Sequence, residues 1–329
     1  MLHLHYSPAR SLLAVGNIFT TMVFSMFRNI FLVLLLIFSP LVAASNGSHR
    51  VIAFAQDTMR NDYRMQQVFE VRDEVAKHPK LSFLYSNAQG QTSLMIRQIE
   101  RFIKLDVDLL IIGTNDENAI VPVVSKAYKK GIPVIVLDRG IQSDDYTTFI
   151  NSDNVKIGKM GAQHIAEKLN GKGTVLLFEG IQQTDVTRLR SQGFIDEMSK
   201  HREIQVIKRT GNFLRKDAIN EMENLLEQGI QVDAIFAESD SMLNGVRMVL
   251  KRYKIDPSSI VMVGCDYTSE SREAILNGSQ AGSVLFPLGG IKSVEIALKI
   301  FNGESVPKHI SNPVKLVTRK NAHEVPPIF

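Results

Sequence analysis

Asp138 and Arg139 stand side by side at the end of a short apolar run, inside the stretch GIPVIVLDRG. A carboxylate accepts hydrogen bonds from hydroxyls, and a guanidinium donates a planar fork to hydroxyl or ring oxygens. Taken alone, the pair fits a ligand site or a local ion pair closing a strand. Similar residues recur after other apolar runs: Asp57, Asn61, Tyr63 and Arg64; then Arg188; Phe213; Ser239 and Asp240; Asp266 and Tyr267; and Phe286. Acids, amides and guanidinium forks together with aromatic rings have the chemistry to hold a polyhydroxylated ring. Removing several hydroxyls from water is costly unless each finds a partner, which demands a dense polar lining. Each residue also has a plainer reading. Asp57, Asn61 and Asp240 suit helix caps. Phe213 and Phe286 suit core rings, Tyr63 and Tyr267 surface aromatics, and Arg64 and Arg188 solvated helix positions. Ser239 suits a loop, and Asp266 the end of an apolar strand.

The elements that must position these residues alternate with little interruption from Arg50 onward. VIAFA (51–55), LSFLYS (81–86), LLII (109–112) and VIVL (134–137) read as strands, separated by helical patterns; the pattern restarts after TTFIN and NSDN. Strands TVLLFEG, IQVIK, DAIFAE and SIVMVGCD then alternate with helices, followed by GSVLFP, a helix at 290–302 and a last strand, VKLVT. Short apolar β-branched runs bounded by turn residues suit buried parallel strands. In open α/β sheets, ligands bind at the carboxyl ends of such strands, where the polar residues fall. Two successive runs of βαβ units predict an α/β protein of two doubly wound, Rossmann-like lobes. The terminal pieces are too few for a third domain and must return to the sheets already built. The expected division is residues 45–152 plus 287–312 for one lobe and 153–286 plus 313–329 for the other, joined by several crossovers, which the family resemblance given below implies to be a three-crossover hinge. The final HEVPPIF reads as an unpacked tail.

Hydrophobic residues make up 44% of the 329 residues and charged residues 22%, which describes a globular chain with ample core. Residues 26–44, MFRNIFLVLLLIFSPLVAA, depart from this. A basic start, a short apolar core, a Pro break and small residues are the anatomy of a secretory signal peptide cleaved after Ala44. Residues 1–25 then form an extra prefix, and a retained membrane anchor is the alternative. Of the 38 basic residues, only Arg10 and Arg28 precede position 45, leaving 36 against 34 acids. No basic patch interleaved with aromatics points to nucleic acid. Cys265 is the single cysteine, so there is neither a disulfide framework nor a thiolate metal site, and no cofactor is expected.

The segments PVIVLDRG, NSDN with its Gly158-containing helix, TDVTRLRSQGF, FAESDSMLNG and VMVGCDYT, in this order and spacing, resemble the periplasmic sugar-binding proteins of the ribose/galactose type. The resemblance covers residues 50–320. It implies a type I periplasmic-binding-protein fold closing over one monosaccharide, pentose or hexose. It further implies periplasmic location, a monomeric state and delivery of the sugar to the membrane permease of an ABC importer. By position, Asp138, Arg139, Arg188, Phe213 and Asp266 match the family's ligand-contacting residues. The first loop departs from ribose binders, which tend toward Asn and paired Phe; an aromatic followed by Arg, as in Tyr63–Arg64, looks more like relatives that bind galactofuranose. Ser239 stands where Asn is common, and Phe286 where Gln is common.

Other classes find little support. There is no G-x-G-x-x-G after the first strand, no phosphate-binding G-x-x-x-x-G-K-[ST], no H-E-x-x-H and no G-x-S-x-G elbow. Asp138 and Asp266 could pair for glycoside hydrolysis, but Arg139 beside Asp138 would keep it ionised. A transcription repressor with the same core would need an amino-terminal helix-turn-helix. The stronger rival is a sensory receptor that presents the same closed form to a chemoreceptor or histidine kinase.

Overall fold

The computed structural model describes residues His49–Phe329; the expected signal segment lies outside the described residues. Five strands open the first lobe: β1 (Arg50–Gln56), β2 (Leu81–Asn87), β3 (Leu109–Gly113), β4 (Val134–Leu137) and β5 (Thr148–Ser152). Between them run α1 (Asp62–Val75), α2 (Thr92–Lys104) and α3 (Val121–Lys129). The second lobe holds α4 (Asn154–Lys168), β6 (Lys172–Glu179), α5 (Asp185–Met198), β7 (Glu203–Thr210), α6 (Arg215–Glu227), β8 (Ala234–Ala237), α7 (Asp240–Arg252), β9 (Val261–Asp266), α8 (Ser269–Asn277) and β10 (Gly282–Leu285). The chain then returns α9 (Gly290–Phe301) and β11 (His309–Asn312) to the first lobe and ends with β12 (Lys315–Thr318) in the second.

Two six-stranded sheets result, ordered β11-β5-β4-β3-β1-β2 and β12-β10-β9-β8-β6-β7. All pairings are parallel except that of β12 with β10. The central strands β3, β4 and β8 are buried along their whole length, as expected of apolar runs covered by helices on both faces. α2 shows how a helix meets its sheet: Met95, Ile99, Phe102 and Ile103, at offsets of 4, 7 and 8, form its one buried stripe. The two α/β lobes expected from the alternating pattern are present. β11 was not anticipated, because HISN carries no apolar alternation; its place is set by parallel pairing with β5.

The chain passes between the sheets three times, after β5, after β10 and after β11. The final segment is not an unpacked tail. Ile328 and Phe329 pack against the apolar cluster that holds Tyr63, Phe286 and Leu288 beside the crossovers, and Ser269 donates from its backbone N at 2.8 Å and its hydroxyl at 2.6 Å to the Phe329 carbonyl. Tyr267, expected near a ligand, is instead buried with its hydroxyl against the carbonyls of Ala322 and Val325, fixing this segment.

α4 and α5 cross at two glycines. A β-carbon on Gly158 would lie 2.0 Å from the Arg190 carbonyl, and one on Gly193 would lie 2.0 Å from the Val155 carbonyl. Neither obstacle is a flexible side chain, so the helices must separate if either glycine is replaced. Gly193→Ala is expected to lower stability by about 1–3 kcal/mol, the usual cost of overpacking, seen as a fall in the midpoint of chemical denaturation.

Candidate functional site

Three residues at strand or loop exits hold their backbones in the left-handed region: Asp138 (φ 70°) after β4, Phe213 (φ 59°) after β7 and Asp266 (φ 107°) at the end of β9. Non-glycine residues occupy this region only when their surroundings impose it, and such residues concentrate at binding sites. All three line one cavity between the lobes. Polar contacts close its rim. Asn61 Nδ2 donates to the Phe213 carbonyl at 2.5 Å, Gly140 N to Asp185 Oδ2 at 2.9 Å, and Ser241 Oγ to Asp62 Oδ2 at 3.1 Å. This is the closed arrangement of the two lobes.

Arg64, on the first turn of α1 behind the Asn61 cap, organises the first-lobe wall. Its Nε donates to Asp57 Oδ1 at 3.1 Å, and its Nη1 to Gln67 Oε1 at 3.1 Å and Asp138 Oδ2 at 2.9 Å. Its Nη2 donates to the Thr114 carbonyl at 3.2 Å and lies 2.9 Å from Asp57 Oδ1. Four of the five guanidinium N–H groups thus donate hydrogen bonds to protein, and Nη2 is ion-paired with Asp57 as well. Burial works against its charge, but Asp57 and Asp138 outweigh that and raise its pKa. Asp57 also accepts from Arg139 Nη1 at 3.2 Å, so it sits behind the cavity as an anchor for two guanidiniums. Burial, with Arg64 close by, lowers the Arg139 pKa to about 10, still well above neutrality.

From the second lobe, Arg190 on α5 donates through Nε to Asn154 Oδ1 at 2.8 Å and through Nη1 to the Glu238 carbonyl at 2.6 Å. Its guanidinium lies 4.5 Å above the Phe286 ring, which stacks on Tyr63 at 5.1 Å. The Tyr63 hydroxyl donates to the Pro287 carbonyl at 2.9 Å, tying the rings to the second crossover. Burial lifts the Asp266 carboxyl well above the usual range, against the pull of Arg190. Three buried atoms have no partner among the described residues and belong to cavity-lining side chains: Asp138 Oδ1, Asp266 Oδ2 and Arg139 Nε.

Nine of the eleven expected residues line the cavity: Asn61, Tyr63, Arg64, Asp138, Arg139, Phe213, Ser239, Asp266 and Phe286. Ser239 does so as the cap of α7, its side chain accepting from Met242 N. Asp240 is bound up with Ser283, Gln280 and the Tyr267 amide, away from the lining. Arg188 requires correction. It is half-exposed and pairs with Glu117 at 3.3 Å on the rim, while Arg190 enters the cavity. The reason is helical phase: Val186, Thr187, Arg190 and Phe194 share the buried face of α5, and Arg188 lies about 200° away from Arg190. Spacing by four from the apolar Phe194 would have selected Arg190.

Sequence reasoning also missed Val186 and Glu238. Glu238 Oε2 accepts from Gly180 N at 2.8 Å, and its Oε1 lies 2.9 Å from Ser191 Oγ. The same hydroxyl lies 2.8 Å from Glu179 Oε1, which Lys208 Nζ also approaches at 3.1 Å. One hydroxyl has one proton, so it cannot donate to both carboxylates. Glu179 has its ammonium partner; Glu238, fully buried, is the one that fits as a neutral acid donating to Ser191. Burial raises its pKa to about 7, with Arg190 and the Gly180 amide pulling down and Glu179 pushing up.

Two outcomes follow. An acid whose pKa is raised on folding stabilises the fold fully below its ordinary value near 4.5 and loses that contribution as pH rises through about 7. The difference in stability between the wild type and Glu238→Gln, in which the amide can replace the acid's donated bond, should therefore change by about 3 kcal/mol between pH 4.5 and 7.5, measured by urea denaturation; a flat difference would place the proton elsewhere. Arg64→Met should cost about 3–5 kcal/mol, because it leaves Asp57 and Asp138 buried with one guanidinium between them; a calorimetric melt reads this.

Residues 52–305 match the family described as the periplasmic binding protein domain. The chain is 30% identical over 279 residues to the ribose import binding protein of Bacillus subtilis, covering 84% of this chain and 90% of that protein. Among solved structures, it is similar to the fructose binding periplasmic domain of the hybrid two component system BT1754, at 30% identity and a TM-score of 0.78, covering 84% of this chain and 92% of that one. It is also similar to an ABC transporter solute binding protein from Bacillus halodurans with bound myo-inositol, at 26% identity and a TM-score of 0.80, covering 85% of this chain and 98% of that one. With the matched segment running through both lobes and all three lines of likeness converging, the chain belongs to the periplasmic binding protein family.

Proposed function

We propose that this protein captures one neutral monosaccharide between its lobes and hands it to the permease of an ABC importer. The observation that carries the reading is the set of unpartnered buried atoms, two carboxylate oxygens and a guanidinium N–H, around one small cavity. A hydroxyl donates to a carboxylate and accepts from a guanidinium at once, so vicinal hydroxyls satisfy both kinds of group. Phe213, Tyr63 and Phe286 line the cavity and give it apolar surface for the C–H side of a sugar. Arg64 donates four hydrogen bonds to protein and is ion-paired with Asp57 and Asp138, so its charge is already compensated without an anionic ligand. The site binds rather than turns over its ligand, and export to the periplasm goes with this role and with membership of the periplasmic binding protein family.

Ligand contacts from both lobes stabilise the closed form, and the membrane partner reads closure. A sensory role is the second reading, favoured by likeness to the domain of a two component system. The two separate on the partner that co-purifies with the sugar-closed form, a permease or a histidine kinase.

A thermal-shift screen over pentoses, hexoses and polyols tests the reading, since a ligand that binds only the folded form raises the melting temperature. One sugar should give a saturable shift. Arg190→Ala should weaken that sugar by on the order of 100-fold, the loss of charged hydrogen bonds, with a native circular dichroism spectrum. Arg188→Ala should stay within a few-fold of wild type. Wild-type affinity in Arg190→Ala, or no shift with any neutral sugar, would overturn the assignment.

A further inference from the structure

Closure brings protein against protein as well as against a ligand, and two of the clasps that cross the cleft differ in kind. One is Asp62 at the start of α1. Ser241 Oγ donates to its Oδ2 at 3.1 Å, and Arg215 Nη2 lies 3.5 Å from the same oxygen. The Asp62 and Arg215 side chains are 45% and 39% exposed, and ion pairs so open to water contribute little.

The other is Asp185, which opens α5 and does not itself line the cavity. Its Oδ1 accepts from Val186 N and its Oδ2 from Gly140 N of the first lobe, both at 2.9 Å. One carboxyl group thus serves the start of its own helix and the facing lobe. The donor across the cleft is a main-chain amide, which cannot swing aside as a side chain can. A β-carbon on Gly140 would stand 3.1 Å from Asp185 Oδ2 and 3.6 Å from the Phe149 ring, so the absence of a side chain there keeps the approach open.

This clasp adjoins Arg139, whose Nε is the unpartnered guanidinium nitrogen of the cavity. Arg139 is held from three directions. Its Nη1 donates to Asp57 at 3.2 Å, its guanidinium lies 5.4 Å from the Phe213 ring, and the peptide that follows it is tied to Asp185. Phe213 and Asp185 belong to the second lobe, so two of the three restraints arise only when the lobes meet. Burial raises the Asp185 carboxyl above its usual range, while the Gly140 amide pulls it down. The bond to Gly140 therefore asks for an accepting oxygen more than for a full negative charge.

We propose that Asp185 is a positioning residue: its bond to Gly140 locks the lobes about Arg139 and sustains a closed population before any ligand binds. The exposed Asp62 clasp accompanies closure without setting it. A ligand then meets an Arg139 that is already oriented, and the ordering of that side chain no longer opposes binding.

The distance between the lobes of the full chain tests this, read by double electron–electron resonance between spin labels at Arg97→Cys in α2 and Asn220→Cys in α6. Both positions are exposed, one on each lobe, and Cys265 is fully buried and takes no label. Wild type, shown empty by native mass spectrometry, should populate a closed distance beside an open one. Asp185→Ala, with a native circular dichroism spectrum, should lower the ratio of closed to open by about tenfold or more, the loss of a hydrogen bond to a charged group. Asp185→Asn, whose amide oxygen still accepts from Gly140 N, should restore the ratio to within about threefold of wild type. Asp62→Ala should change it by less than about fivefold, as exposed pairs do. Empty wild type with no closed population, an Asp185→Asn variant as open as Asp185→Ala, or a greater loss from Asp62→Ala than from Asp185→Ala would each overturn the proposal. No sugar enters the measurement, so its failure is distinct from failure of the thermal-shift screen.

Discussion

Everything around the cleft depends on holding four ionised side chains where water does not reach. Asp57, Arg64, Asp138 and Arg139 are all at or below 5% exposed, and an isolated charge so placed would be prohibitively costly. The solution is a linked set of partners in which Arg64 bonds to Asp57, Asp138, Gln67 and the Thr114 carbonyl, and Asp57 is shared between two guanidiniums. The set leaves one oxygen of Asp138 and one nitrogen of Arg139 over. The selectivity of the cavity is therefore written as much by what the network consumes as by what faces inward.

The second lobe solves the same problem differently. Arg190 is held by an amide and a backbone carbonyl, and burial pushes Glu238 toward its neutral form beside a hydroxyl it shares with Glu179. Closure joins a wall of ionised groups to a wall where burial discourages ionisation, as the raised Asp266 and Glu238 carboxyls show. A partner satisfying both walls would accept from one and donate to the other, as a hydroxyl does.

Much of this was legible in the sequence. Apolar β-branched runs alternating with helical stripes specify two parallel sheets, and polar residues directly after those runs specify where a site must lie. Phase along a helix was harder to read. Arg188 and Arg190 are both arginines on one turn, and only the requirement that Phe194 be buried assigns the inward one. Arg64 was visible as a residue but not in its role, because five simultaneous contacts involve Gln67 nearby and Thr114 and Asp138 from distant strands. The proton on Glu238 was hidden for a similar reason: it follows from a serine placed between two acids from different strands. The carboxyl-terminal segment reads as polar and proline-rich, and only the Tyr267 hydroxyl and the apolar cluster at the crossovers explain its burial.

That last segment has a consequence for measurement. Ile328 and Phe329 pack against the apolar cluster that holds Tyr63 and Phe286 of the cavity lining and Leu288 of the second crossover. A reporter group joined there would sit on the pivot of the two lobes and away from their mouth. It would register rotation as a change in local contact while leaving the entrance unobstructed, which makes this end of the chain a natural place to read out occupancy optically.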